Sequence, residues 1–451
     1  MTKNMIKLSI FVLLMVLIAS GGILASDKVD FDQLYDEVSE LEGEEAYEFF
    51  VSLEDKDLTQ DEVINFFVNL PISEANEQIY EKFQSQDFAT HMDGYPSGDL
   101  YDDFTWEIGM GSDITGPFSE QNLRLPFTDY LAIEEGEFSD PDKTYEIGIT
   151  FHGFEHSWLI NWADAAKWQV DQHPNVEATV LDAGFDDSEQ ASHVDQFIAT
   201  GKDGIVVWPQ VVAPTGPPAR RAEEAGIPVV SVDRLTGYDD VTARVTGNFP
   251  ANGAQNGMYL IWQLGQEGSF AANVVMLRKP LGSTADAVRT GHFLKILSYF
   301  PEIEILQSYH DPDSREEAYD NAETALTAYD EIDVFFNTGD HQALAAYEAI
   351  SAADRMHSRE EEKKIMILSI DDSREALNFV QEEVFELNTP YTPLISDIGV
   401  RALLMHLDGQ EVPHDIITPD IPMVTPESKN IFGLNTLTVD EWLPHAFGPE
   451  Y

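Results

Sequence analysis

Residues 227–234 read IPVVSVDR, an apolar run that ends in an acid beside a base. The run before the charged pair is apolar and rich in β-branched residues, which is typical of a buried strand. Burying either charge alone is costly, so Asp233 and Arg234 each need a partner, water or a ligand. One interpretation is a solvated ion pair at a strand end. The other is a polar site, and the surrounding sequence favours it.

Similar apolar runs recur from residue 145 onward: YEIGITF, VEATVL, GIVVW, IPVVSV, NVVML, DVFFN and KIMILSI. Most are separated by amphipathic stretches of helical length, such as the one that carries Leu159, Trp162 and Val170. Alternating strands and helices predict parallel sheets covered by helices. About 300 residues of this pattern exceed one doubly wound sheet, so we expect an α/β fold with two doubly wound parallel-sheet lobes.

The composition excludes several classes of protein. The chain of 451 residues has 82 Asp and Glu against 25 Lys and Arg, a formal net charge of −57. Such a surface repels phosphate backbones, so nucleic acid is a poor partner. Adaptation to a salty medium is the explanation we favour, which predicts a halophilic protein. Because the chain has no cysteine, thiol catalysis, cysteine-ligated zinc and a lipid anchor on cysteine are excluded.

The N-terminal part differs from the rest. Residues 1–26 have a basic start, an apolar core and small residues, the order of a secretory signal peptide, so we expect export. An uncleaved membrane anchor is the alternative. Residues 27–140 form an acidic, partly helical extension, in which Thr59 and Glu62 fit a capping box that opens a helix. This extension either docks a partner or spaces the lobes from a membrane.

The residues that follow the predicted strands are polar or aromatic. In open parallel sheets, ligands bind beyond the carboxyl ends of the strands. Sugars need both hydrogen bonds to their hydroxyl groups and an aromatic surface under their C–H face. These strand ends carry Phe151, His152, Glu155 and Trp158, then Trp208, Asp233 and Arg234, then Arg289, Thr338, Asp340 and Asp371. We therefore predict a sugar or polyol site.

Alternative interpretations apply to several of these residues. Trp162 falls on the apolar face of its helix and is predicted to be core. Trp208 could cap its sheet, Asp371 could cap the next helix, and Arg289 could lie on the surface. His152, Glu155 and His156 fit the H-x-x-E-H pattern of a class of zinc peptidases. That chemistry needs both histidines on one helical turn, whereas His152 is followed by glycine directly after a strand. We therefore expect that the protein binds no metal and no cofactor and that it is not an enzyme.

The segments YEIGITFHGFEHSW, GIVVWPQ, AGIPVVSVDR, VTGNFPANGA, LGSTADAVRTGHF and ILSIDDS resemble the periplasmic sugar-binding proteins of the ribose-binding type, over residues 143–425. In that family, the Asp-Arg pair that Asp233 and Arg234 match forms hydrogen bonds to sugar hydroxyl groups. The resemblance departs at Glu155, which replaces an amide, at Trp208, which replaces an asparagine, and near Pro393, where a glutamine is expected. With the strand ends it implies these ligand-binding residues: Phe151, Glu155, Trp158, Trp208, Asp233, Arg234, Arg289, Asp340 and Asp371.

The resemblance also implies a periplasmic-binding-protein type I fold with three hinge crossovers. Lobe 1 would comprise residues 141–247 and 394–419, and lobe 2 residues 248–393 and 420–451. The crossovers would lie near residues 247–248, 392–393 and 419–420. The implied function is capture of a sugar and delivery to a membrane ABC permease by a monomer in the periplasm or cell exterior. The alternative is an exported sensor that presents a sugar to a chemoreceptor or histidine kinase.

Overall fold

The computed structural model describes residues 29–83, 136, 138–154, 156–355, 364–418 and 421–447. The predicted signal peptide, Glu155 and the predicted crossover at residues 419–420 lie outside these residues. Within the described part of the chain, no helix combines the length and the apolar character that crossing a bilayer requires.

The described strands, in chain order, are β1 Tyr145–Phe151, β2 Val176–Asp182, β3 Gly204–Trp208, β4 Val229–Val232, β5 Ala243–Thr246, β6 Ala272–Arg278, β7 Ile303–His310, β8 Val334–Asn337, β9 Met366–Ile370, β10 Leu387–Thr389, β11 Asp415–Ile417, β12 Val424–Thr425, β13 Asn430–Ile431, β14 Leu434–Asn435 and β15 Leu437–Thr438. The runs predicted as strands from the sequence correspond to β1 to β4, β6, β8 and β9. Except in the edge strand β2, their apolar side chains are buried because helices cover the sheets.

The described helices, in chain order, are α1 Phe31–Ser39, α2 Gly43–Ser52, α3 Gln60–Val68, α4 Glu77–Phe83, α5 Ser157–Asp171, α6 Asp187–Thr200, α7 Val212–Glu224, α8 Phe249–Glu267, α9 Thr284–Leu297, α10 Arg315–Ala328, α11 Asp340–Ala352, α12 Arg374–Gln381, α13 Ile395–Leu407 and α14 Val439–Trp442. The predicted capping box is present at the start of α3, where the Thr59 side chain accepts from the Glu62 amide and Glu62 bonds back to Thr59.

Two sheets form the centres of two lobes. The first sheet has the order β11-β5-β4-β3-β1-β2 and is parallel throughout. The second has the order β15-β12-β10-β9-β8-β6-β7, in which only the β10–β12 pair is antiparallel. We call each sheet with the helices packed on it the first and second lobe. This is the predicted pair of parallel-sheet lobes.

The chain passes between the lobes three times. It leaves the first sheet after β5 and enters α8, it returns after β10 into α13, which packs on β3, β4 and β5, and it leaves again after β11. Strands of both lobes therefore present their carboxyl ends to the cleft between them. The residue limits given above for each lobe stay a prediction.

The N-terminal helices are part of the second lobe's core. Phe50 packs against Phe67, Tyr299, Phe300 and Phe432, with ring centroids 5.0 to 6.3 Å apart. Backbone groups also join the two parts, since the Gly43 amide donates to the Tyr299 carbonyl at 2.8 Å. The described helices of the extension are therefore anchored to the second lobe and do not act as a loose spacer.

Candidate ligand-binding site

The pair Asp233–Arg234 lies directly after β4, at the cleft edge of the first sheet. Each residue is only 2% exposed. A solvated surface ion pair is therefore the wrong interpretation, since burial on this scale requires partners for both charges.

Charged side chains from both lobes form a chain of ion pairs across the cleft. Arg234 Nε lies 3.4 Å from Asp233 Oδ2, and Arg234 Nη2 lies 2.9 Å from Oδ2 of Asp313 in the second lobe. Lys279 Nζ lies 3.3 Å from Asp313 Oδ1 and 3.5 Å from Asp371 Oδ2. Acids and bases alternate along this chain, so each buried charge has an opposite charge beside it.

Arg289 and Tyr391 close this chain into a ring. Arg289 Nη2 donates to Asp371 Oδ1 at 2.8 Å, and Nη1 donates to the Thr338 carbonyl at 2.7 Å. The Arg289 guanidinium lies 4.9 Å from the centre of the Tyr391 ring, and the Tyr391 hydroxyl donates to Asp233 Oδ1. We define the charged ring as Asp233, Arg234, Asp313, Lys279, Asp371, Arg289 and Tyr391. Its formal charges balance.

The acids of the charged ring differ in how well the protein stabilises their charge. Burial alone would raise the pKa of Asp313, but Arg234 and Lys279 outweigh it and hold that pKa well below its usual range. Burial raises the pKa of Asp233, and Arg234 and the Tyr391 hydroxyl oppose this only in part. A further hydroxyl donor beside Asp233 would therefore stabilise its charged form.

The backbone at the three acids of the ring adopts uncommon conformations. The angle φ is 67° at Asp233, 69° at Asp313 and 108° at Asp371. Residues other than glycine rarely adopt positive φ, and such conformations concentrate at binding and catalytic sites. Each acid lies in a sharp turn at or near the end of a strand, and the turn directs its carboxylate toward the other charged groups.

An aromatic cluster of Trp158, Trp162, Trp208 and Tyr391 borders the charged ring on the first-lobe side. Trp158 stacks on Tyr391 with centroids 5.5 Å apart, and Trp208 stacks on Trp162 at 4.8 Å. The Trp208 indole donates to Asp233 Oδ2 at 2.6 Å. Trp208 therefore both packs against its sheet and orients Asp233. Trp162 is fully buried, as predicted.

Arg289 and Asp371 are not the surface arginine and helix cap of the alternative interpretations. Arg289 is 1% exposed. The cap of α12 is Ser373, whose side chain accepts from the Ala376 amide. Arg289 owes its position to a close helix contact, because a Cβ atom on Gly253 of α8 would lie 2.0 Å from the Arg289 carbonyl oxygen. Only glycine at 253 permits this approach of α8 and α9.

Two predicted site residues have partners elsewhere. Asp340 Oδ2 accepts from the Ser373 amide at 2.6 Å and Oδ1 accepts from Asn388 Nδ2 at 2.7 Å, so donors of the second lobe occupy both oxygens. Burial, with the nearby charge of Asp371, raises the pKa of Asp340 to about 8. Phe151 packs in the first-lobe core, 4.4 Å from Phe154 between ring centroids. The geometry does not bring Asp340 or Phe151 into the charged ring.

Sequence reasoning missed three members of the ring. Lys279 follows β6 directly, so the rule that ligands bind beyond the carboxyl ends of the strands could have predicted it. Asp313 lies three residues beyond the end of β7, a strand that the sequence pattern did not reveal. Tyr391 lies in the crossover after β10, two residues before the position where the resemblance placed a glutamine.

The zinc-peptidase arrangement is not formed. His152 lies in a bend after β1, and His156 is the residue that precedes α5, so the two histidines do not share a helical turn. That chemistry requires two histidines one turn apart on a helix, aimed at one metal.

Comparison with known proteins agrees with this architecture. A family model described as a periplasmic binding protein domain matches residues 147–411. The xylitol-binding protein of Mycolicibacterium smegmatis is 29% identical over 300 residues, 66% of this chain and 81% of that protein. The ribose import binding protein of Bacillus subtilis is 22% identical over 278 residues, which are 61% of this chain and 86% of that protein. A Bacillus halodurans solute-binding protein with bound myo-inositol superposes with a TM-score of 0.56 at 22% identity, over 63% of this chain and 95% of that one.

The two-lobed fold, the cleft between the lobes and the extent of the family match define a solute-binding architecture. The chain belongs to the periplasmic binding protein family. Its fold is the type I fold that the sequence resemblance implied. The relatives are binding proteins, and this chain is accordingly a binding protein and not an enzyme.

Proposed function

We propose that the protein captures an uncharged sugar or polyol between its lobes and delivers it to an ABC permease. The charged ring carries this proposal, because its carboxylates and guanidiniums alternate beside an aromatic cluster. Carboxylates and guanidiniums bind hydroxyl groups, and aromatic rings pack against sugar C–H faces. A neutral ligand leaves every ion pair of the ring balanced.

The names of the relatives support this class of ligand. They bind or import xylitol and ribose, and the Bacillus halodurans structure contains myo-inositol. All three are neutral polyhydroxylated molecules. We propose that Asp233, Arg234, Arg289 and Asp371 bind the hydroxyl groups of the ligand, while Trp158 and Trp208 form its aromatic wall.

We further propose that residues 1–26 direct export and that the mature protein works as a monomer in the periplasm or at the cell exterior. The family membership supports export. Phe151, Glu155 and Asp340 remain predictions as ligand contacts, with Phe151 and Asp340 disfavoured by the partners described above.

A thermal-shift screen against sugars and polyols in molar salt identifies the ligand, and calorimetry then tests the ring. Asp233→Ala should weaken binding of the best ligand by about 2–4 kcal/mol, because a charge-assisted acceptor is lost and its donors are stranded. Asp182→Ala is the matched control, since Asp182 is also an aspartate at the end of a first-sheet strand but is exposed. Equal affinity in wild type and Asp233→Ala would contradict the proposed site.

Lobe closure is the second part of the proposal. The Arg234–Asp313 pair joins the two lobes, so a ligand held on the ring is contacted by both. Small-angle scattering should show a smaller radius of gyration at saturating ligand, and Arg289→Ala should reduce this change. A scattering profile that saturating ligand leaves unaltered would count against closure. Loss of sugar uptake in a deletion strain supports delivery to a permease, while intact uptake with lost sugar signalling indicates a sensor.

A further inference from the structure

Imidazole and carboxylate groups from both lobes meet beside the charged ring. One ligand atom each from His156, Asp313 and His341 lies within 4.8 Å of the others. The rings of His156 and His341 are nearly parallel, with centroids 4.7 Å apart and an interplanar angle of 17°. His156 precedes α5 in the first lobe, whereas Asp313 and His341 belong to the second. We propose that these three side chains bind a divalent transition-metal ion of the zinc type, which bridges the lobes.

A buried nitrogen atom without a hydrogen-bond partner is the second observation. Among the residues that the structure describes, His156 Nε2 is buried and has no such partner. His152 Nε2 lies 3.6 Å from Asp313 Oδ2, so a third imidazole faces the same carboxylate. Buried polar atoms are nearly always paired, and a group that is not paired calls for a ligand, a water or an ion. Neutral imidazole nitrogen is a preferred zinc ligand.

The geometry needs only a modest contraction to bind the ion. Zinc binds nitrogen and carboxylate oxygen at about 2.0–2.2 Å, so ligand atoms around a tetrahedral ion lie about 3.3 Å apart. His341 Nε2 already lies 3.9 Å from Asp313 Oδ1, and side-chain rotation of His156, which is partly exposed, can bring its ring closer to both. Two histidines and one aspartate leave one coordination position for water or a ligand hydroxyl.

The proposed ligands already have partners with which a metal competes. Arg234 Nη2 lies 2.9 Å from Asp313 Oδ2, and His341 Nε2 lies 3.4 Å from Asp311 Oδ1. Lys279 is the competitor that a single substitution can test. Its ammonium lies 3.3 Å from Asp313 Oδ1 and already supplies a positive charge to this carboxylate. Lys279 also contacts Asp371 at 3.5 Å, so it retains a carboxylate partner when a metal displaces it from Asp313. Removing the Lys279 charge should therefore tighten metal binding.

The test uses the full chain, freed of metal with a chelator and titrated with Co²⁺ and then Zn²⁺ in molar KCl. The many surface carboxylates bind divalent ions weakly, so the readout must report nitrogen ligation. We expect intense Co²⁺ absorption bands at one ion per chain, lost on addition of Zn²⁺. His156→Ala and His341→Ala should weaken binding about tenfold or more, and Lys279→Met should strengthen it. His406→Ala, which removes an exposed histidine of α13, is the matched control.

Weak binding at many sites that none of these variants changes would overturn the proposal. If His341→Ala does not fold, His156→Ala decides, because His156 is partly exposed and its loss leaves the core intact. Scattering adds an independent readout, since Zn²⁺ without sugar should compact the wild type and not His156→Ala. Metal binding is measured without sugar, so its failure does not bear on the proposed sugar site.

Discussion

At the scale of single residues, buried titratable groups act on stability in opposite directions. Burial lowers the pKa of His292 to about 3 and that of His152 to about 4, so each loses its stabilising effect as the pH falls below 6.5. Burial raises the pKa of Asp340 to about 8 and that of Asp397 to about 6, so each destabilises the fold as the pH rises from about 4 toward these values. The net pH dependence of the wild type therefore isolates no single group.

His292→Leu isolates one of them. His292 is buried in α9 and its Nδ1 only bonds the Val288 carbonyl one turn earlier, so a leucine of similar size fits. In molar salt, the stability of the wild type relative to His292→Leu should fall by about 1.4 kcal/mol per pH unit between pH 6.5 and roughly 5. Urea unfolding at several pH values measures this difference. Parallel curves would show that His292 is not held neutral by burial.

The residues of the charged ring divide into those that sequence can reveal and those that it cannot. Asp233, Arg234 and Asp371 directly follow apolar strands, so the strand-end rule finds them. Asp313 and Tyr391 come after β7 and β10, two strands that the apolar pattern did not predict. Their place in the ring depends on how the lobes face each other, since Asp313 contacts Arg234 across the cleft. Tertiary contacts of this kind leave no local sequence pattern.

At the scale of elements, the α8–α9 contact positions Arg289. Gly253→Ala should improve helix propensity by about 0.5–1 kcal/mol, yet we expect weaker ligand binding because the added Cβ pushes α9 and its arginine away from the cleft. Gly257→Ala is the comparison, since its Cβ would meet the Ile296 side chain of α9 at 3.0 Å, a smaller clash one turn further along the same interface, and should weaken binding less. Calorimetry that finds equal affinity for wild type and Gly253→Ala would show that this helix contact does not control the site.

The N-terminal helices should be indispensable for the second lobe. Phe50 is fully buried among aromatic residues of both parts, so Phe50→Ala should cost about 3–5 kcal/mol and lower the urea midpoint of the whole second lobe. Val51→Ala, on the exposed face of the same helix, should change stability by less than about 0.5 kcal/mol. An unchanged urea midpoint in Phe50→Ala would contradict this prediction and would indicate that the extension is only a spacer.

The strands β5, β7 and β10 could not be predicted from the sequence because none of them contains a long apolar run. β7 lies at the edge of the second sheet and most of its residues are only partly buried, so its sequence, IEILQSYH, lacks a continuous apolar run. β5, ARVT, and β10, LNT, are short, and β5 carries as many polar as apolar residues and β10 more polar than apolar ones, whereas β4, VVSV, is as short as β5 but mostly apolar. Short or half-exposed strands form because neighbouring strands offer hydrogen bonds, which a single sequence does not display. The central strands, buried on both faces, were predictable. So was the half-exposed edge strand β2, because its run VEATVL contains several β-branched residues.

At the scale of the whole molecule, the interior balances most of its acidic residues with basic ones, whereas the surface does not. Arg278 and Arg289 are among the largest fully buried side chains, and Arg234 and Lys279 are also buried. Each of these four residues is paired with a buried aspartate, so the interior is close to neutral. The excess of 82 acidic over 25 basic residues therefore resides mainly outside the core, where the acidic groups repel one another.

This charge distribution predicts a strong dependence of stability on ionic strength. The Debye length falls from about 30 Å at 0.01 M to about 10 Å at 0.1 M and about 3 Å at 1 M, so screening of surface repulsion should stabilise the fold mostly at the lower concentrations. We expect the free energy of unfolding to rise steeply with KCl up to a few tenths molar and to level off. Sucrose controls for stabilisation that involves no screening. A linear rise, or none, would show that surface repulsion does not limit stability. The halophilic prediction would then lose its physical basis.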